Sequence, residues 1–161
     1  MEIVELNNKR NYIKKDGTYI SDIWFNYVGY FKAGFGSIKL NTKYNFIKID
    51  GTYLSDVWFD DIGRFKNGFG IVKLNNKYNF IKKDGTYISD IWFDWIDYFK
   101  DGYARIKLNK KYTFINKQGK LLSDTWFDFV FNFYDGFAEV ETKNDLYKLD
   151  KRGNLYFTVR N

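Results

Sequence analysis

Four carboxylates recur at one fixed step. Asp22, Asp56, Asp90 and Asp124 each sit in a Ser-Asp-x-Trp-Phe segment. Carboxylates serve proteins as general acids, general bases and hard-metal ligands. A glycosidase-type pair needs two carboxyl groups whose environments differ, and four equivalent copies offer no such pair. A calcium site needs six to eight converging oxygens, and no Asp-x-Asp-x-Asp-Gly loop occurs. A simpler role is structural: a Ser-Asp pair ending a strand caps backbone N–H groups through an Asx-type turn. The sequence holds no His and no Cys, which excludes the usual catalytic triads, thiolate chemistry and Cys/His metal centres. No Gly-rich phosphate loop precedes a helix. The expectation is a protein that is not an enzyme, with no catalytic residue, no metal ligand and no cofactor.

Lysines repeat as strictly. Lys39, Lys73 and Lys107 share one position of the repeat, and Lys43, Lys77 and Lys111 another. The net charge is +6, with an isoelectric point near 9.2. Within one repeat, Lys73, Lys77, Lys82 and Lys83 precede Asp90, Asp94, Asp97 and Asp101. Stacked copies would align these into a basic stripe beside an acidic stripe. The two lysine sets are therefore candidate residues for an anionic ligand such as a nucleotide, nucleic acid or sulfated glycan. The competing reading is a solubilising face whose lysines guard sheet edges. No single repeat carries the concentrated basic cluster usual for nucleic-acid readers, and the ladder position becomes Glu5 and Glu141 in the outer repeats. Aromatic residues make up 22% of the chain, so carbohydrate binding through exposed rings is a further, weaker option.

The positioning elements follow from a 34-residue period marked by Trp24, Trp58, Trp92 and Trp126, each followed by Phe. Gly17, Gly51, Gly85, Gly119 and Gly153 keep the same step. Such a period signals a stack of one supersecondary unit. In residues 69–102, the first strand is Phe69 to Leu74, followed by an Asn75-Asn76 turn and a second strand from Tyr78 to Lys82. Asp84-Gly85 is a hairpin turn leading to a third strand from Thr86 to about Trp92. The connector 93–102 has both helical spacing and the features of a bent strand. The expected fold is all-β: one repeat domain of five three-stranded antiparallel meanders, 2–34, 35–68, 69–102, 103–136 and 137–161. They stack as an open solenoid-like array, with a closed five-bladed propeller-like ring as the alternative. The Trp-Phe pairs and Phe31, Phe65, Phe99 and Phe133 are assigned to the core between sheets. Arg10 and Lys148 replace aromatic residues of the inner repeats, as capping repeats require.

The string from Lys77 to Asn109 resembles the bacterial and phage WG-repeat proteins. Lys77-Tyr78-Asn79-Phe80-Ile81 takes the place of that family's Lys-Trp-Gly-Tyr-Ile strand. Asp84-Gly85 takes its turn, Phe93-Asp94 its next segment, and Phe99 with Gly102-Tyr103-Ala104 its return. Tyr-Asn stands in place of the name-giving Trp-Gly. The resemblance implies repeating β-structure and no shared catalytic activity. These readings converge on a binding scaffold that offers an extended surface to a protein partner. The absence of Cys, of a signal sequence and of an apolar membrane span makes a cytoplasmic location the expectation, with no membrane partner.

Overall fold

The computed structural model describes residues 1–159. All regular structure there is antiparallel β. β1 (Glu2–Leu6) and β2 (Lys9–Ile13) form a two-stranded sheet. Three sheets of three strands follow: β3 (Tyr27–Val28), β4 (Phe35–Leu40) and β5 (Lys43–Lys48); β6 (Asp61–Ile62), β7 (Phe69–Leu74) and β8 (Lys77–Lys82); β9 (Trp95–Ile96), β10 (Tyr103–Leu108) and β11 (Lys111–Asn116). β12 (Phe129–Val130), β13 (Phe137–Glu141), β14 (Leu146–Asp150) and β15 (Leu155–Thr158) form a four-stranded sheet. None of these sheets closes on itself. The chain is therefore a tandem series of small antiparallel meanders, as the period requires. Two compact units divide it: Met1–Asn75 with Phe80–Tyr87, and Asn76–Asn79 with the chain from Ile88 onward.

The first two strands of each repeat lie where the sequence places them, but the third does not. Thr86 to Trp92 makes isolated bridges at its ends, Ile81↔Tyr87 and Tyr78↔Phe93, rather than a strand. A buried amide lines this segment in three repeats. Asn45 is fully buried; its Oδ1 accepts the Phe46 N–H at 2.8 Å, and its Nδ2 donates to the Ser55 carbonyl at 2.7 Å. Asn11 repeats this with Tyr12 N–H and the Ser21 carbonyl, and Asn79 donates to the Ser89 carbonyl at 2.8 Å. The side chain thereby ties the third segment to the second strand. The fourth repeat, with Thr113 at this position, makes the same isolated bridges, Tyr112↔Phe127 and Ile115↔Leu121. In the fifth repeat Tyr147 takes this position, and there the third segment is the regular strand β15, paired Tyr147↔Phe157.

The missing strand comes from the connector, which is not helical. Trp95 and Ile96 pair with Lys107 and Ile106 of the next repeat, and Tyr27 and Val28 pair with Lys39 and Ile38. Each connector thus completes its successor's sheet. Its leading polar residue also clamps the successor's turn. Asn26, Asp60 and Asp94 accept the backbone N–H of Asn41, Asn75 and Asn109, each at 2.7 Å. Those turns need left-handed angles, with φ of 56°, 51° and 49° at the three Asn residues, which Asn tolerates.

The core is made of the Phe residues of the Trp-Phe pairs. Phe25, Phe59, Phe93 and Phe127 are buried, whereas Trp24, Trp58, Trp92 and Trp126 are half-buried. The expectation that both rings fill the core is corrected accordingly: the β-bridging Phe points inward and its Trp neighbour lies over the edge against a Tyr, as Trp58 does on Tyr53 with ring centroids 5.1 Å apart. Phe65, Phe99 and Phe133 are buried as expected. In the first unit Tyr12, Phe25, Val28, Ile38 and Ile47 form one cluster. In the second, Phe114, Phe127, Val130, Val140 and Leu149 form another. Lys148 is exposed, and Arg10 is partly exposed with its guanidinium 3.0 Å from Glu5.

Candidate functional site

The repeated carboxylates are not convergent. Asp22, Asp56, Asp90 and Asp124 are exposed, and the capping expected of them is done by their Ser neighbours. Ser21, Ser55 and Ser89 Oγ accept the N–H two residues on at 3.0 Å, and Ser123 does so at 3.1 Å. The Asx turns lie instead at the Asp-Gly corners. Asp16, Asp50 and Asp84 each accept a Thr hydroxyl and then the same Thr N–H, which hold all three carboxyls below the usual range. Where the corner reads Gln118-Gly119, Asn116 supplies the acceptor, at 3.0 Å from Gln118 N.

The two lysine sets separate. Lys43, Lys77 and Lys111 open β5, β8 and β11, and each ammonium is ion-paired, to Asp60, Asp94 and Asp128 respectively. The expected separation into a basic and an acidic stripe is therefore corrected. The acid of each connector lies 17 residues on in sequence but folds back onto the lysine that opens the second strand. Asp60 and Asp94 are held below the usual carboxylate range by these lysine hydrogen bonds first, then by the clamped Asn N–H.

The ladder lysines lie on the first long strand of each repeat. Lys39 and Lys107 each place their ammonium 5.0 Å from the centre of a cross-strand ring, Tyr44 and Tyr112. Lys73 is opposite Asp61 in register. Around Lys107 a walled cleft forms. There Trp95 (opposite in β9), Tyr112 (opposite in β11) and Phe129 (from β12) wall a cleft of about 480 Å³, completed by Arg105, Val130 and Asp94. Trp95 and Tyr112 rings are 6.2 Å apart, and Tyr112 and Phe129 5.5 Å. Trp95 and Phe129 are each 37% exposed. Arg105 lies over the Trp95 ring at 5.6 Å, and its Nη2 is 2.7 Å from Asp97.

Sequence reasoning over equivalent positions found Lys107 but missed Trp95, Arg105 and Phe129, because their combination occurs once in the repeat series. Trp95 and Phe129 share one repeat position, which holds Tyr27 in the first repeat and departs from an aromatic only at Asp61. Arg105 stands where other repeats have Ser37, Ile71 and Glu139. The signal available was that difference: an asymmetric site in a repeat protein must lie where the copies disagree.

A second hollow of about 450 Å³ is lined by Phe131, Asn132, Tyr134, Phe137, Glu139 and Lys148, among others. It belongs to a run of uncovered rings. Tyr134 is 87% and Tyr156 50% exposed, whereas Phe157 lies with Tyr147 on the opposite face of the sheet. Phe129 touches Phe131 at 4.9 Å, Phe137 touches Tyr156 at 5.9 Å and Tyr147 touches Phe157 at 5.7 Å between centroids.

Small antiparallel sheets, each completed by the preceding connector, define an all-β repeat protein. The family model of the WG containing repeat matches residues 46–78, 80–112 and 112–147, and the chain belongs to that family. No curated protein matches it. Among solved structures, it is similar to Hsv2 of Kluyveromyces lactis, with a TM-score of 0.48 and 12% identity over 95% of this chain and 57% of that one. Hsv2 of Kluyveromyces marxianus gives 0.47 and 11% over 85% of this chain and 50% of that one. A protein of unknown function from Bacteroides caccae gives 0.33 and 11% over 99% and 77%. The chain spans 60% of the length of a Kluyveromyces lactis Hsv2 variant with loop 6CD replaced by a Gly-Ser linker.

Proposed function

We propose that this chain is a non-enzymatic binding module that presents its repeat surface to a protein partner. The observation that carries this reading is the run of uncovered rings around Phe131, Tyr134, Phe137 and Tyr156. Contiguous exposed aromatic area of this kind is uncommon on monomeric surfaces and is enriched at the centres of interfaces. Strict repetition of the polar groups supports the non-enzymatic part, since equivalent carboxylates in every copy supply no acid–base asymmetry. The test is capture from a lysate of the native host with wild-type chain and a Tyr134→Ser/Tyr156→Ser double variant. A partner retained by the wild type and lost by a variant with the same melting temperature supports the reading. Equal retention by both chains, or none above background, overturns it.

A second reading has its own support. Lys39 and Lys107 are poised over Tyr rings with no carboxylate at ion-pair distance among the described residues, which suits an anionic ligand along the ladder. Retention on heparin that falls steeply with salt would support it. Lys43, Lys77 and Lys111 contribute less than the ladder set in this reading, because their charge is already met.

A further inference from the structure

We infer that the cleft around Lys107 is a binding site for a small planar ring that carries an anionic group. The inference narrows the anionic-ligand reading to a single place and is independent of the protein-partner reading. Shape argues for the ring. Trp95, Tyr112 and Phe129 supply flat apolar walls, and about 480 Å³ falls within the size of small-ligand sites. Stacking on such walls is tolerant of ring identity and needs only a π-face.

Charge argues for the anion. Two cations, Arg105 and Lys107, line the cleft, with Asp94 as the acid in its lining. Asp94 is already committed, with one oxygen to the Lys77 ammonium and the other 2.7 Å from the Asn109 N–H. Lys107 is held over Tyr112 by a ring face alone, which an anion can supplement without displacing a salt bridge. Arg105 is fixed by Asp97 and by the Val130 carbonyl, 3.4 Å from Nη1, while its buried Nε meets no acceptor among the described residues. That nitrogen is closed to solvent, so the guanidinium acts on the cleft through its charge rather than through this donor. Neutral sugars fit less well, because their hydroxyl donors need acceptors and the uncommitted groups here are donors.

The repeat supplies an internal control. Lys39 has the same cross-strand setting, with Tyr27 opposite on one side and Tyr44 on the other. The next connector there brings Asp61 rather than a ring, and the arginine position is Ser37. The cleft thus depends on a combination confined to the third and fourth repeats, and the ligand class follows from that combination rather than from the ladder.

The experiment is calorimetric titration of the full chain with four probes: adenosine 5′-monophosphate, 1-naphthoate, adenosine and inorganic phosphate. The ring-bearing anions are expected to bind at least about tenfold more tightly than adenosine or phosphate alone. Preference for the nucleotide identifies a phosphate source, and preference for naphthoate a carboxylate source; either supports the inference. Lys107→Gln and Trp95→Leu should each weaken the preferred probe about tenfold, with melting temperatures near that of the wild type, while Lys39→Gln should leave binding unchanged. Absence of saturable binding of both ring-bearing anions at about 5 mM would overturn the inference. So would equal losses in Lys39→Gln and Lys107→Gln, which would leave the ladder reading standing without the cleft.

Discussion

Phe93 is buried and its neighbour Trp92 is not, although both are large aromatics in one repeated dipeptide. Adjacent side chains of an extended segment point to opposite faces, and the bridge Tyr78↔Phe93 directs Phe93 inward. Phe93→Ala should therefore cost about 3–5 kcal/mol, the usual range for a large aromatic lost from a core. Trp92→Ala should cost clearly less, about 1–2 kcal/mol, because part of its area already meets water. Chemical denaturation of the two variants measures the order, and a larger loss at Trp92 would place the core on the wrong ring. The carboxylates give a second residue-scale expectation. Asp16, Asp50, Asp84, Asp60 and Asp94 all have folded pKa values lowered by hydrogen bonds. Groups depressed on folding contribute stability that is present above the unfolded value, about 3.9, and lost as pH falls through the folded values. Melting temperature should thus decline only below about pH 4. A melting temperature that stays constant as pH falls well below the unfolded value would show that these bonds carry no net stability.

At the scale of the element, one buried amide ties the third segment to the second strand. Asn45 satisfies Phe46 N–H and the Ser55 carbonyl at once. Asn45→Ala leaves both groups buried and unpaired, so a loss of about 2–4 kcal/mol is expected. The fourth repeat has Thr113 at this position, and the buried hydroxyl finds no partner among the described residues. Thr113→Asn should restore the arrangement and stabilise by about 1 kcal/mol; thermal melts of the pair test both signs. Contact between repeats is equally local. A Cβ on Gly85 would lie 2.5 Å from the Leu54 carbonyl oxygen, and one on Gly153 would lie 2.5 Å from that of Leu122. Gly17 has nearly the same backbone angle, with φ of 84° against 85°, and nothing within 4 Å. Gly→Ala strains the turn similarly in both places. Gly85→Ala should cost about 1–3 kcal/mol more than Gly17→Ala, from overpacking against backbone. Equal losses would mean that the repeat contact yields freely.

For the molecule as a whole, stability should be distributed over neighbour contacts. Residues 137–161 hold β13 to β15, whose Ala138, Val140 and Leu149 close the cluster around Phe114, Phe127 and Phe133. Deleting them should leave the earlier repeats folded but with that aromatic face uncovered and prone to aggregate. Circular dichroism and light scattering on the truncated chain check this, and complete loss of β signal would contradict an open array and favour the ring.

What the sequence determined by itself was the period, the two long strands of each repeat, the Asn and Asp-Gly turns and the polar substitutions at Arg10 and Lys148. These depend on alternation and turn chemistry within a few residues, where backbone sterics dominate. The tertiary structure decided which segment completes each sheet, because the connector pairs with the first long strand of the next repeat, beyond the reach of any local pattern. It also decided that Lys77 meets Asp94 and that Trp95, Arg105, Tyr112 and Phe129 share one cleft. Those groups lie up to a full repeat apart in sequence. They are brought together by the register of a two-residue connector strand, which is fixed by hydrogen bonds to the next repeat rather than by its own residues.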